Sequence, residues 1–183
     1  MRLFLALTLI PFAAFANPLE PDFDKIFTDN ADKLVEKNGG TSLKMETNIL
    51  ISKNSEGEYL ALDGSTHDAV GCILRLTLQS MIVGKLCPES ITPEQSTMLN
   101  ENVNSIALFY AENNVPTHPL GEVQTEIDKA LGALGKRLQN LECKAVEITR
   151  FKNFLGTLTG EEMQQKLNAS LSTPRLPVVE PCL

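Results

Sequence analysis

Four cysteines constrain this chain more than any other feature: Cys72, Cys87, Cys143 and Cys182. An even, scattered set in an exported protein reads as two disulfides. Four cysteines allow three pairings, and helix geometry prunes them. If Cys72 to about Lys85 is helical, the rise separates its ends by about 20 Å. Bridged Cα atoms must lie within about 7 Å, so the few residues after the helix cannot return Cys87 to Cys72. Cys87 lies just before the third predicted helix, and Cys143 near the end of the fourth. Short connections make neighbouring helices antiparallel, which brings these two ends together. Cys87–Cys143 is the expected bridge, and Cys72–Cys182 follows by elimination. No histidine or cysteine cluster has zinc-ligand spacing, so neither a metal nor a cofactor is expected.

The front end supports an oxidising compartment. Residues 1–16 read MRLFLALTLIPFAAFA. Arg2 supplies a short positive region, Leu3–Phe12 an apolar stretch, and Ala14-Phe15-Ala16 a small-x-small cleavage pattern. Cleavage of this signal peptide leaves residues 17–183, expected as one mostly helical domain with an extended tail over 172–183. Loss of Arg2 leaves 15 basic against 23 acidic residues, a net charge of −8. That balance disfavours nucleic acid and anionic lipid, both of which reward clusters of Lys and Arg. The apolar run Ala69–Val83 contains Arg75 and is too short to cross a bilayer. The expected location is the periplasm or the outside of the cell.

Periodicity predicts a mainly α fold: a disulfide-stapled bundle of four to five helices, with one small β-hairpin over about residues 43–62. Phe23, Ile26, Phe27, Ala31, Leu34 and Val35 share a helical face, predicting a helix over 23–37 that stops at Asn38-Gly39-Gly40. Leu43, Met45, Thr47, Ile49 and Ile51 alternate with Lys44, Glu46, Asn48, Leu50 and Ser52, and 58–62 returns as a second strand. Ser65 with Asp68 predicts a cap for a helix over 69–86, which is apolar almost all round and therefore central. Gly71 on it allows a neighbour to approach closely. Thr92-Pro93-Glu94-Gln95 is a capping box with proline at the first helical position. Val123, Ile127, Leu131, Leu134, Leu138 and Leu141 form a packing seam, in a helix that either continues past Cys143 or breaks there. Thr159 and Glu162 suggest another box, opening a short helix with Met163, Leu167 and Leu171. The tail is expected to be peripheral, tied down by Cys182 and open to proteases near Arg175 once that bridge is removed.

The chain offers little chemistry. His67 beside Asp68 and His118 in a proline-flanked loop are the two histidines. Neither has a Gly-x-Ser-x-Gly serine or an α/β pattern around it, so a cap or turn role is expected of both. Asp22 with Asp24 and Glu161 with Glu162 sit at helix starts, where negative charge is favourable. With no tryptophan, and only Tyr59 and Tyr110 as tyrosines, a sugar-stacking groove is not expected. No catalytic or cofactor-binding residue is assigned.

Three functions follow as expectations. The first is a secreted or periplasmic non-catalytic binding protein, whose partner is another protein of basic character. The spacing Cys72…Cys87-Pro88…Ile91-Thr92, followed by helices and Cys143, resembles helical periplasmic immunity proteins that neutralise cell-wall-degrading effectors. The resemblance covers about half of the mature chain, rests on general cap and cysteine features, and implies an inhibitor-type role. The second is a helical carrier of a small apolar ligand along Ile73, Met81 and Phe109. The third is an enzyme with an unidentified site, gathering His67 or His118 with acids from other helices.

Overall fold

The computed structural model describes residues 19–37 and 39–182; the expected signal segment lies outside the described residues. Among these the chain is mainly helical, with six α-helices and one four-stranded antiparallel sheet. The expectation of four to five helices and a small hairpin is corrected in both numbers. In chain order the elements are α1 (Phe23–Asp29), β1 (Val35–Lys37), β2 (Gly40–Lys44), β3 (Ile49–Lys53), β4 (Tyr59–Asp63), α2 (Val70–Leu86), α3 (Pro93–Asn113), α4 (Leu120–Leu138), α5 (Ala145–Leu158) and α6 (Glu161–Leu171).

The sheet is larger because two stretches break earlier than their periodicity implies. The first helix does not reach residue 37. Asn30 turns its amide back onto the Ile26 carbonyl, α1 ends at Asp29, and one 3-10 turn follows at Ala31–Lys33. Val35–Lys37 then pairs with Gly40–Ser42. Asn-Gly is a hairpin signal as well as a helix stop. Here Gly39, at φ +78°, lies between the paired Lys37 and Gly40, and Asn38 lies outside the described residues. The alternating run 43–52 is likewise two strands. Asn48 enters the left-handed region at φ 63°, the Met45 N–H donates to the Ile49 carbonyl, and the chain reverses between β2 and β3. The hairpin over β3 and β4 forms around Asn54–Gly57, where Asn54 Oδ1 accepts from the N–H groups of Glu56 and Glu58.

The helices pack around α2, which touches α3, α4 and α6. Val70, Ile73, Leu74 and Leu78 of α2 meet Leu99, Val103, Ile106 and Phe109 of α3 in one apolar cluster. Thr92 and Gln95 form the capping box that starts α3. The other two predicted caps do not form. Ser65 Oγ accepts from the His67 N–H, and the α2 start is satisfied from elsewhere: the Gly71 N–H donates to the Val178 carbonyl at 3.0 Å. Thr159 Oγ1 donates back to the Leu155 carbonyl, so Gly160 flanks α6 with no side-chain cap. The α4 seam is buried at Val123 and Ile127, while Leu141 lies beyond the helix and is exposed. The chain breaks between Leu138 and Ala145.

The tail is extended, but it is not peripheral. Arg175, Leu176, Pro177 and Val178 are all buried. Leu176 and Val178 join Phe23, Ile26, Phe27, Leu43, Ile49 and Ile51 in a second cluster beneath the sheet. Glu180 pairs in parallel with Leu62, its carbonyl accepting the Asp63 N–H at 2.7 Å. The tail therefore lies between sheet and bundle, bonded to both. The structure joins Cys72 to Cys182 and Cys87 to Cys143, with Cα separations of 5.1 and 5.8 Å. Gly71 is required where the tail crosses α2, since an added Cβ would meet the Val178 carbonyl oxygen at 2.7 Å and the Tyr110 hydroxyl at 2.8 Å.

Arg175 completes the junction. Its Nε donates to Asp63 Oδ2 at 2.6 Å, its Nη1 to the carbonyls of Ser170 and Thr173, and its Nη2 to the Asp68 carbonyl. Both side chains of the pair are 1 % exposed. Removing one partner of such a pair leaves an uncompensated buried charge and costs about 3–5 kcal/mol. Arg175→Met is expected to lower stability by that amount in urea unfolding, and Asp63→Leu added to it is expected to recover part of the loss. A change below about 0.5 kcal/mol, the range of an ordinary surface substitution, would contradict this role.

A second prediction concerns acid. Asp24 on α1 accepts from the Tyr59 hydroxyl at 2.6 Å and from Lys53 Nζ at 3.0 Å. The Tyr59 hydrogen bond first, then the Lys53 bond and charge, hold its carboxyl below the ordinary aspartate value of about 3.9. A depressed folded-state pKa contributes stability that is present above the unfolded value and lost as pH falls through the folded one. Carboxyl NMR is expected to show Asp24 titrating below 3.9, with the Tyr59 ring signals shifting in the same step. A midpoint at or above 3.9 would contradict the contact.

Candidate functional site

The histidines and acids singled out in the sequence are dispersed. His67 Nε2 lies 3.2 Å from Thr173 Oγ1, at the start of the tail. His118 Nδ1 faces Glu122 at 3.6 Å across one turn. Asp22 caps α1 through the Lys25 N–H. Glu161 accepts from Gln165 Nε2, and Glu162 pairs with Lys166. Local structure thus accounts for each acid. Among the described residues no group of three metal-ligating side chains converges, and no helix is long and apolar enough to cross a membrane.

His118 does line a cleft of about 320 Å³ with Leu19, Glu122, Thr125 and Glu126. Its acids come from the helix directly following it and not from other helices. The Thr125 hydroxyl donates to the Gly121 carbonyl, and Glu126 is held by Lys129. No nucleophile stands within bonding reach of the imidazole among these groups. Along the expected carrier path Ile73 and Phe109 are buried in the helical cluster, packed against their neighbours, with Met81 partly buried beside them.

The outer face of the sheet is different. Strand alternation sends successive side chains to opposite faces. The register places Leu43, Ile51 and Ala61 in one row facing α1 and the tail. The opposite face carries Val35, Ser42, Ser52 and Leu60 in one row, and Lys44, Leu50 and Leu62 in the next. Val35 is 59 % exposed, Leu60 53 % and Leu50 37 %. Ladder alternation also turns the N–H and C=O groups of Tyr59 and Ala61 away from β3, to the open side of the edge strand β4. Glu180 occupies only the Leu62–Asp63 end of that edge.

This surface combines apolar side chains with a strand edge that, among the described residues, is unpaired at Tyr59 and Ala61, the two elements that strand addition uses. The sequence reading missed it for identifiable reasons. Val35 fell on the apolar stripe of a helix, and Leu50 fell on the polar side of the alternation. The signal was that leucines 50, 60 and 62 share that polar-side parity. Comparison with family models, with curated proteins and with solved structures finds no match to this chain.

Proposed function

We propose that the protein is an exported, non-catalytic binding protein, acting in the periplasm or outside the cell, and that its partner is another protein. The observation that carries this reading is the outer sheet face, with Val35, Leu50 and Leu60 exposed beside the open edge of β4. Natural sheets usually blunt such an edge with charge, proline or a covering segment. A partner segment in extended conformation would pair with the Tyr59 and Ala61 backbone and lay alternate apolar side chains on the leucines. The acidic balance of the chain, −7 over the full sequence, favours a partner with basic residues flanking that segment. Two disulfides and a buried tail give a rigid platform, which lowers the ordering cost of association. An inhibitor or immunity-type role is the form of binding that fits a stapled, non-catalytic export product.

The test is a comparative pull-down from the native envelope extract with the mature protein. Leu60→Glu and Leu50→Glu are exposed changes, expected to leave stability within about 0.5 kcal/mol. Leu108→Glu, on an exposed position of α3, is the control. A protein retained by the wild type and by L108E, but lost with L60E and L50E, is the expected result. Retention unaffected by both sheet variants would overturn the assignment of this face.

A further inference from the structure

Charge is unevenly placed along this acidic chain. Residues 136–152 hold five basic residues and two acidic ones, whereas the whole chain holds 16 and 23. The basic five are Lys136, Arg137, Lys144, Arg150 and Lys152, and all are exposed. Lys144 Nζ lies 2.7 Å from Glu142, and Glu147 also acts on its charge, so one lysine engages both acids of the segment. Arg150 and Lys152 make no ion pair among the described residues.

The second half of this segment lies on α5. That helix packs on α6 and on the 3-10 turn Pro88–Ser90, with Leu155 and Leu158 buried. The Cys87–Cys143 bridge ties down the chain just before it. Helical spacing puts Val146, Arg150 and Phe154 on successive turns of another face. Val146 is 67 % exposed and Phe154 41 %, and the Phe154 ring meets that of Phe151 at 6.5 Å. The row therefore reads apolar, cationic, apolar, on a helix held from behind. At a bilayer surface the apolar tips leave water, while arginine lays its stem along them and keeps its guanidinium among the phosphates. An anionic lipid surface rewards both parts of the row at once. The net negative charge of the chain does not forbid this contact, because exposed charges farther away than a Debye length of about 8 Å are largely screened at physiological salt.

We propose that α5 is a membrane-surface contact whose Val146–Arg150–Phe154 row lies on anionic phospholipid. The other cations of the segment add to the attraction. The contact is peripheral, since no described helix is long and apolar enough to cross a bilayer. It is separate from the outer sheet face and does not depend on a partner bound there.

The test uses residues 17–183 with both disulfides formed, so that the apolar residues 3–16 cannot themselves enter a bilayer. Sedimentation compares vesicles of phosphatidylcholine alone with vesicles of phosphatidylcholine and phosphatidylglycerol in equal parts. The protein is expected to sediment with the anionic vesicles only. Raising salt from about 0.1 M to about 1 M, which shortens the Debye length from about 10 to about 3 Å, should release it. Arg150→Gln should weaken binding about fivefold, the effect of one charge near such a surface. Val146→Glu and Phe154→Glu should each weaken it at least about tenfold. Lys25→Gln, the same loss of charge on exposed α1, should leave it unchanged. Each variant should keep its Tm within about 2 °C of the unsubstituted chain, and if one does not, the other row variants carry the comparison. Equal binding to neutral vesicles, binding that survives both glutamate variants, or equal loss in Lys25→Gln would overturn the contact. So would no binding at about 0.1 M salt, or soluble polyglutamate held as tightly as the vesicles, which would make the occupant an acidic polypeptide.

Discussion

The contact between Arg175 and Asp63 holds the fold's two halves in register. A sheet with one buried face and a helical bundle would each be marginal alone, and the extended tail is what each of them packs against. Burying an ion pair normally brings a desolvation penalty that only full hydrogen bonding offsets. Here it is offset. Arg175 reaches one carboxylate and three carbonyls, and Asp63 Oδ1 also accepts the Ser65 N–H. The guanidinium lies 5.8 Å from the Phe109 ring centroid, which brings α3 into the same junction. The Cys72–Cys182 bridge then closes the tail onto the helix that the Val178 carbonyl has already met.

That arrangement explains why one face of the sheet is left to solvent. The tail and α1 fill the inner face with Leu176, Val178, Phe23 and Phe27, while Val35, Leu50 and Leu60 of the outer one stay exposed. Glu180 ends its pairing at one end of β4, so the outward N–H and C=O groups of Tyr59 and Ala61 have no strand partner among the described residues. The tail's place on the inner face therefore leaves the outer one as the surface proposed to meet a partner.

How much of this could be read in the sequence depends on how local each cause was. The Thr92 box needed only four residues; helix rise excluded Cys72–Cys87, and antiparallel packing of short-connected helices then pointed to Cys87–Cys143, leaving Cys72–Cys182. The break after Leu138 was one of two open alternatives, since the seam of leucines and the Glu142-Cys143 interruption pointed opposite ways. The sheet was underestimated because a helical stripe through Leu34 and Val35 and an unbroken alternation through Met45 and Thr47 were each locally valid. Turn chemistry at Gly39 and Asn48 overrode both. The tail was misread for a different reason: prolines and few apolar residues suggest an exposed end, and the partner of Arg175 is 112 positions away. Nothing local announces a contact of that range.

Native-state hydrogen exchange on the unsubstituted protein tests the wedge most directly. The Gly71 amide bonds to Val178 and the Asp63 amide to Glu180, so these two hydrogens report the tail's hold on bundle and sheet. If the tail is integral, both exchange only through global unfolding, with the same opening free energy as Ile51 in the sheet and Ile106 in α3. Exchange of Gly71 and Asp63 at far lower opening free energy, while Ile51 and Ile106 stay protected, would show that the two halves stand without it.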